Sequence, residues 1–305
     1  MNEFFFPDVE FVPVGLNHQQ TLGEFLKRYP QSLAGYTMAT LVAWSPFYYY
    51  EWGYAEPDTL LISCTPDFGT TRHLMQPIGP VSPGIRQRLI EGAAALPYPL
   101  RIVNVSNRFI KRNPALLDAF TLREERGFSN YLYRTDALAR LRGRKYSKKR
   151  NLLSQASSQY AWTCEKLTAD RTDACLEVLD SIEKEEQPQI EGMLAREIDA
   201  LKYTLTHFRE LDQQGLLILV EDVPVAFSIF EEISPTTAAV HFERALRRFK
   251  GLYQVINWET AKVIAEQGFE FINREEDLGD PGLRDAKSSY HPTRIIPAYE
   301  LKFRK

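Results

Sequence analysis

The sequence predicts an α+β protein of two packed domains. Its 305 residues exceed the size at which a single hydrophobic core usually stops growing, about 250–300 residues. The segment LLILVEDVPVAFSIFEEI (216–233) alternates and runs apolar as strands do, whereas its flanks recur at helical spacing. Hydrophobic residues make up 44% and charged residues 25%, which excludes a disordered chain.

The balance of 37 basic and 40 acidic side chains, with a pI near 6.0, argues against a protein that coats nucleic acid, although a balanced total still allows a local basic patch. Cys64, Cys164 and Cys175 form no CxxC and are odd in number, as expected of reduced thiols in a cytoplasmic protein. The start, MNEFFFPDVE, carries acids where a secretory signal carries Lys or Arg, so no export is expected. The longest strictly aliphatic run is Leu216–Val220, short of the ~20 residues of a membrane helix. The uncharged stretch Tyr29–Tyr50 contains Pro30, Gly35 and Pro46. It reads as a buried strand pair, or as an aromatic pocket or lipid-touching patch.

The elements follow in order. A helix is expected around His18–Tyr29, then strands near Thr40–Trp52 and Thr59–Cys64. Ser82 with Pro83 opens a helix to Leu96. Strand Leu100–Val105 follows, then Phe120–Arg126 and Tyr131–Arg134 as a hairpin around Gly127. Thr135 caps a short helix, Asp136–Arg142, that Gly143 closes. Next come helix Ser147–Ser157, strand Tyr160–Leu167, and helices Asp170–Glu186 and Leu194–Gln213. Two strands joined at Glu221-Asp222, a third strand Thr237–Ala245, helix Leu252–Gln267, strand Phe269–Asn273, a short helix and a last strand complete the chain. The second half has the order of an acetyltransferase-type layout. The expected domains are 1–134 and 135–305, the second a mixed, mostly antiparallel sheet flanked by helices.

Three constellations carry chemistry. RLRGRKYSKKRN (140–151) holds seven basic residues in positions 140–150 and no acid. It reads as a solvated face, or as a surface tracking phosphates of RNA or an anionic head group. ERALRRFKGLYQ (243–254) places Arg247, Arg248 and Lys250 before Gly251 at a strand-to-helix junction, where helix amides favour anions. Coenzyme A pyrophosphate binds acetyltransferases at such a junction, but Tyr253 stands where a small residue belongs. FINREEDLGDPGLRDAKSSYHPTRIIP (271–297) sets Arg284, Lys287 and Ser288 on one helix face, with Tyr290 beyond and Glu275, Glu276 and Asp277 before. These groups could position an amine and protonate a leaving group, or form an ion-pair network fixing a loop. The histidines show no HExxH, so no metal is expected, and GxSxG, GxxxxGK[ST] and GxGxxG are missing. His241 reads as a satisfied core histidine.

YLYRTDALARLRGRKYSKKRN (131–151) and INREEDLGDPGLRDAKSSYHPTRI (272–295) together resemble the phosphatidylglycerol lysyltransferase C-terminal-domain family. The resemblance implies two acetyltransferase (GNAT)-like domains, a fold shared with the Fem aminoacyl transferases, and transfer of an aminoacyl group from aminoacyl-tRNA to an amine or lipid hydroxyl. It carries over at Lys145, Lys149, Arg150 and Asn151, and at Asn273, Glu275, Asp277, Gly279, Gly282, Leu283, Arg284, Lys287, Ser288 and Tyr290. Where the lysyl-lipid synthases carry a D-x-M-R-type element, this chain reads HFERALRRFKGLY.

The expected activity is therefore aminoacyl transfer from aminoacyl-tRNA to a lipid or amine acceptor, with no tightly bound cofactor. The basic strip would hold tRNA; Arg247, Arg248 and Gly251 would hold acceptor-end phosphates. Asp277 or Glu275 would orient the α-amino group, with Lys287 or Tyr290 acting on the oxyanion or leaving oxygen. Alternatives are a coenzyme A-dependent N-acetyltransferase and a catalytically inactive anion-binding regulator. The expected location is cytoplasmic, peripheral to an anionic membrane if the acceptor is a lipid.

Overall fold

A computed structural model of the chain describes residues 6, 8–66, 69–186 and 192–305. Its elements run β1 (Val12–Pro13), α1 (Gln19–Arg28), α2 (Met38–Tyr48), β2 (Glu51–Glu56), β3 (Thr59–Cys64), β4 (His73–Met75), α3 (Pro83–Ala95), β5 (Arg101–Ser106), α4 (Asn107–Arg112) and β6 (Phe120–Glu124). They continue with β7 (Asn130–Arg134), α5 (Thr135–Arg140), α6 (Ser147–Gln159), β8 (Trp162–Lys166), α7 (Thr172–Glu186), α8 (Met193–Thr206) and β9 (Gln214–Val220). The remainder is β10 (Val223–Ser234), β11 (Thr237–Ala245), α9 (Leu252–Glu266), β12 (Phe271–Asn273), α10 (Pro281–Ser288), β13 (Arg294–Ile296) and β14 (Ala298–Phe303).

The chain forms two compact units, one of residues 1–130, 276–279 and 296–305, the other of 131–275 and 280–295. Among the described residues each unit carries a seven-stranded sheet. In the first the order is β1-β2-β3-β4-β5-β14-β6, so the last strand of the chain lies between β5 and β6. β4 and β5 are parallel, joined through α3. Ser82 starts α3 by accepting from the Ile85 N–H at 3.1 Å, with Pro83 in the first turn. Ile85, Leu89 and Ala93 of this helix pack on Leu74, Ile102 and Leu301 of the sheet. Full burial of each large aliphatic side chain stabilises the unit by about 1.5–3 kcal/mol.

The first unit departs from the sequence reading around residue 40. Thr40–Tyr48 is helical rather than extended. Thr37 accepts from the Thr40 N–H and starts α2, which buries Met38, Ala39, Leu41, Val42 and Ala43. Pro46 falls in its last turn, and Tyr49 ends it in the left-handed conformation. Burial outweighed the strand preference of the aromatic end, because β propensity expresses packing more than backbone preference.

In the second unit the order is β13-β7-β12-β11-β10-β9-β8. The β9–β10 hairpin turns on Glu221 and Asp222, both at positive φ, as a tight two-residue turn requires. β11 and β12 are parallel, joined through α9, whose Leu252, Val255, Ile256 and Ile264 are fully buried. The expected hairpin of 120–126 with 131–134 does not form: β6 pairs with β14 and β7 with β12. Thr135 is the first residue of α5, not its cap, and Leu141, ahead of Gly143, ends that helix at φ 47°. The helix from 194 stops at Thr206, short of Gln213.

Candidate functional site

The second unit concentrates its buried charge where β11 and β12 part. Their parallel pairing ends at Ala239 opposite Asn273. Immediately beyond, β11 carries one extra residue: Phe242 pairs with Ile229 and Val240 with Phe230, leaving His241 unpaired. Such a bulge bends a strand and re-aims a side chain. His241 bridges to Glu275 through Nδ1 and to Glu231 through Nε2, each at 2.7 Å. Burial pushes the imidazole pKa down, but the two carboxylates outweigh it and hold the pKa at about 10. His241 is thus a core histidine with both ring nitrogens satisfied, as expected, and it is held as an imidazolium at neutral pH.

The backbone is shaped to present these groups. Glu275 sits at φ 56°, a strained conformation for a side chain with a Cβ. Asn273, fully buried, supports it by accepting from the Glu275 N–H at 2.8 Å, and the Glu275 carbonyl accepts from Tyr131.

A second ion pair lies one residue back. Arg274 donates from Nε and Nη2 to Oε2 of Glu243 at 3.0 and 2.9 Å. Burial opposes the guanidinium charge; Glu243, Tyr133 and Tyr290 more than restore it. The guanidinium carbon lies 5.0 Å from the centroid of the Tyr290 ring and 5.8 Å from that of Tyr133. Burial pushes the Tyr290 hydroxyl up to about 12. Lys287 is buried and donates to the Arg274 carbonyl, while its own carbonyl accepts from Tyr133 at 2.7 Å.

Lys149 of α6 adds a cation on the Tyr290 side. Its Nζ lies 3.9 Å from the ring centroid and donates to Ser289 Oγ at 2.7 Å. Burial, then the charge of Arg274, lower its pKa to about 8.

The fold therefore joins Lys149, Asn273, Glu275, Lys287 and Tyr290 through contacts within one cluster. Other expected site residues are placed differently. Asp277 belongs to the first unit, where Arg126 and the Gly279 N–H hold its carboxylate. Arg150 donates to the carbonyls of Leu141 and Gly143, bracing the loop before α6. Lys145 and Asn151 are exposed, as are Arg140, Arg142, Arg144 and Lys148. On α10, Arg284 is half-buried and Ser288 exposed.

At the junction before α9, Arg247 is exposed and Arg248 pairs with Glu185 of α7. Gly251 takes φ 93°, and a Cβ there would stand 2.6 Å from the Leu152 carbonyl of α6. The N–H groups of Leu252, Gln254 and Val255 already donate to Phe249 and Gly251 carbonyls.

Sequence reading passed over Glu243 and Arg274 and set His241 aside. The signal was present: a histidine and an acid interrupt the apolar strand TAAVHFERA, and an arginine directly follows FIN.

A mixed sheet with a helix-linked parallel pair in each unit defines a protein of two GNAT-like domains. The chain belongs to the phosphatidylglycerol lysyltransferase C-terminal family, whose profile matches residues 26–302, and it has that family's acyltransferase-like fold. It is similar to a conserved protein of unknown function from Bacteroides thetaiotaomicron VPI-5482, at 28% identity over 97% of this chain and 100% of that one, with a TM-score of 0.89. It shares its fold with L-PGS from Bacillus licheniformis (13% identity, 94% and 91% coverage, TM-score 0.66). It also shares it with FemX (10% identity, 96% of each chain, TM-score 0.59). No curated protein matches the sequence. Among the described residues no helix is long and apolar enough to cross a membrane.

Proposed function

We propose that this chain transfers an aminoacyl group from aminoacyl-tRNA to a lipid hydroxyl or an amine. The observation that carries the reading is the buried Glu275–His241 and Arg274–Glu243 cluster at the parting of β11 and β12, in a chain of the lysyltransferase family. The exposed cations of 140–150 supply a surface for the RNA backbone. The acceptor's O–H or N–H faces Glu275 and attacks the ester carbonyl carbon. The bond from that carbon to the ribose oxygen breaks, the acceptor's proton passes to the Glu275 carboxylate, and Lys287 or Tyr290 protonates the ribose oxygen. Proton donation of this kind contributes about 10²–10⁴-fold.

The packed turn before α9 supports an ester donor over coenzyme A. The amides of Leu252, Gln254 and Val255 are engaged, Gly251 lies against α6 and Tyr253 is exposed, which leaves less backbone to cradle a pyrophosphate.

The test uses tRNA charged with radiolabelled amino acids, with phosphatidylglycerol vesicles and soluble amines as acceptors. Label is expected to pass to an acceptor with the wild-type protein. Lys287→Ala should abolish transfer while charged tRNA is still retained, with retention falling steeply with salt and indifferent to coenzyme A. Equal loss of transfer and retention would remove the role given to Lys287. Transfer from acetyl coenzyme A alone would replace the reading with the N-acetyltransferase.

A further inference from the structure

Lys149 stands apart from the other half-buried lysines of the second unit, Lys202 and Lys262. Those two each meet a carboxylate at 2.8 Å, from Glu183 and Glu259. Lys149 meets instead the face of the Tyr290 ring and the Ser289 hydroxyl, and among the described residues no carboxylate pairs with it. A half-buried ammonium without a counter-ion costs stability, so the fold carries here a cation that it does not neutralise.

The Ser289 hydroxyl holds this amine by accepting from it. Its single proton goes to the Ala286 carbonyl at 2.6 Å, so toward Lys149 it acts only as an acceptor, taking one N–H at 2.7 Å. An amine held through an N–H keeps its lone pair free to react. Ser289 is exposed, so the amine end of the side chain is reached from solvent.

Two neighbours favour the neutral amine. Burial against Tyr290 removes water from the ammonium, and Arg274, 5.0 Å from the centroid of the same ring, adds a like charge. Desolvation and a neighbouring cation are what make a lysine nucleophilic. With the pKa lowered to about 8, about one-tenth of the amine is neutral at pH 7, against less than about a thousandth for an ordinary lysine.

The surroundings select the donor. Lys145 just before α6 and Lys148 in its first turn are exposed, and no acid falls within 140–150. A donor that carries negative charge on its leaving group is drawn to these cations, which also stabilise that group as it departs. An acyl phosphate, a mixed anhydride whose charge lies on the group that leaves, fits this pattern; a neutral ester does not.

We propose that Lys149 is a modification site of this protein, at which Nζ takes the acyl group of an acyl phosphate. Nζ attacks the carbonyl carbon, and the bond from that carbon to the phosphate oxygen breaks. The phosphate leaves with the bonding pair, and the surplus proton of the amine passes to water. The products are an Nζ-acyl-lysine and inorganic phosphate. Modification removes one cation from the 140–150 strip and from the face of Tyr290. The proposal is independent of the aminoacyl-transfer reading, since neither RNA nor an acceptor takes part in the step.

The test incubates the full wild-type chain with acetyl phosphate at pH 7 and follows each lysine by peptide mass spectrometry. Lys149 is expected to acetylate about tenfold or more faster than Lys145 and Lys148, and the three rates should converge in denaturing urea. Equal rates at the three lysines of the folded chain overturn the proposal. So does a lead that persists in urea, which would belong to the local sequence and not to the fold. The donor is tested by competition at constant ionic strength. Excess inorganic phosphate should slow acetylation of Lys149 by acetyl phosphate and leave its reaction with the neutral N-hydroxysuccinimide ester of acetic acid unchanged. Absence of slowing overturns the assignment to an acyl phosphate.

Discussion

His241 and Glu275 meet at 2.7 Å across the point where β11 and β12 part. A bulge brings one to that point and a left-handed backbone the other. The contact closes the gap that pairing leaves open. It also fixes which carboxylate oxygen of Glu275 remains available.

This contact makes stability depend on pH in a defined direction. The pKa of His241 is raised in the folded state, from 6.5 to about 10. Its contribution is full below pH 6.5 and is lost as pH rises toward 10. The contribution is on the order of a few kcal/mol. Urea unfolding of wild type and His241→Gln between pH 6 and 10 should show their difference shrinking steadily with pH. A constant difference would mean that the imidazole is neutral in the fold.

Lys149 is expected to show the opposite sign. Its pKa is lowered from 10.5 to about 8, so burying its charge costs stability below pH 8, and that cost is relieved as pH rises toward 10.5. The practical readout is reactivity, because a neutral amine acylates and an ammonium does not. Competitive labelling with an acylating reagent, read by mass spectrometry, should give Lys149 a midpoint near 8. A midpoint shared with the exposed Lys145 and Lys148 would contradict the burial by Tyr290.

Gly251 and Gly143 need glycine for different reasons. Both take positive φ, 93° and 91°, but a Cβ at Gly143 meets nothing within 4 Å, whereas at Gly251 it meets the Leu152 carbonyl at 2.6 Å. Gly143, at ψ 169°, lies in backbone territory essentially reserved for glycine, so Gly143→Ala should cost about 1–3 kcal/mol from the backbone alone. Gly251, at ψ −6°, is left-handed, where a Cβ costs about 1–2 kcal/mol, and Gly251→Ala should cost more than that through displacement of α6 from α9. A loss at Gly251 of no more than about 2 kcal/mol by urea denaturation would show that α6 does not press on the junction.

The local signals were the legible ones. Ser82-Pro83 announces a helix start, and the Ser82 side chain accepts from the backbone N–H three residues on. The apolar alternation around Glu221-Asp222 announces the hairpin. The basic motif and the 272–295 motif carried the resemblance to the family. Lys287 and Tyr290, read from the second motif, do lie beside Arg274.

What sequence alone determined was therefore the class of fold, the order of most elements and the family, since these depend on interactions within a few turns of chain or on motifs quoted whole. Tertiary structure decided the rest. It made Thr40–Tyr48 a helix because burial of five neighbouring apolar side chains outweighed aromatic strand preference. It sent β6 and β7 to different sheets because each found its partner far along the chain, in β14 and β12. It set His241 against Glu275 and Glu243 against Arg274 because the register of β11 against β12, set by the 25 residues 246–270 of intervening helix and loop, places them together, and no local pattern encodes that register.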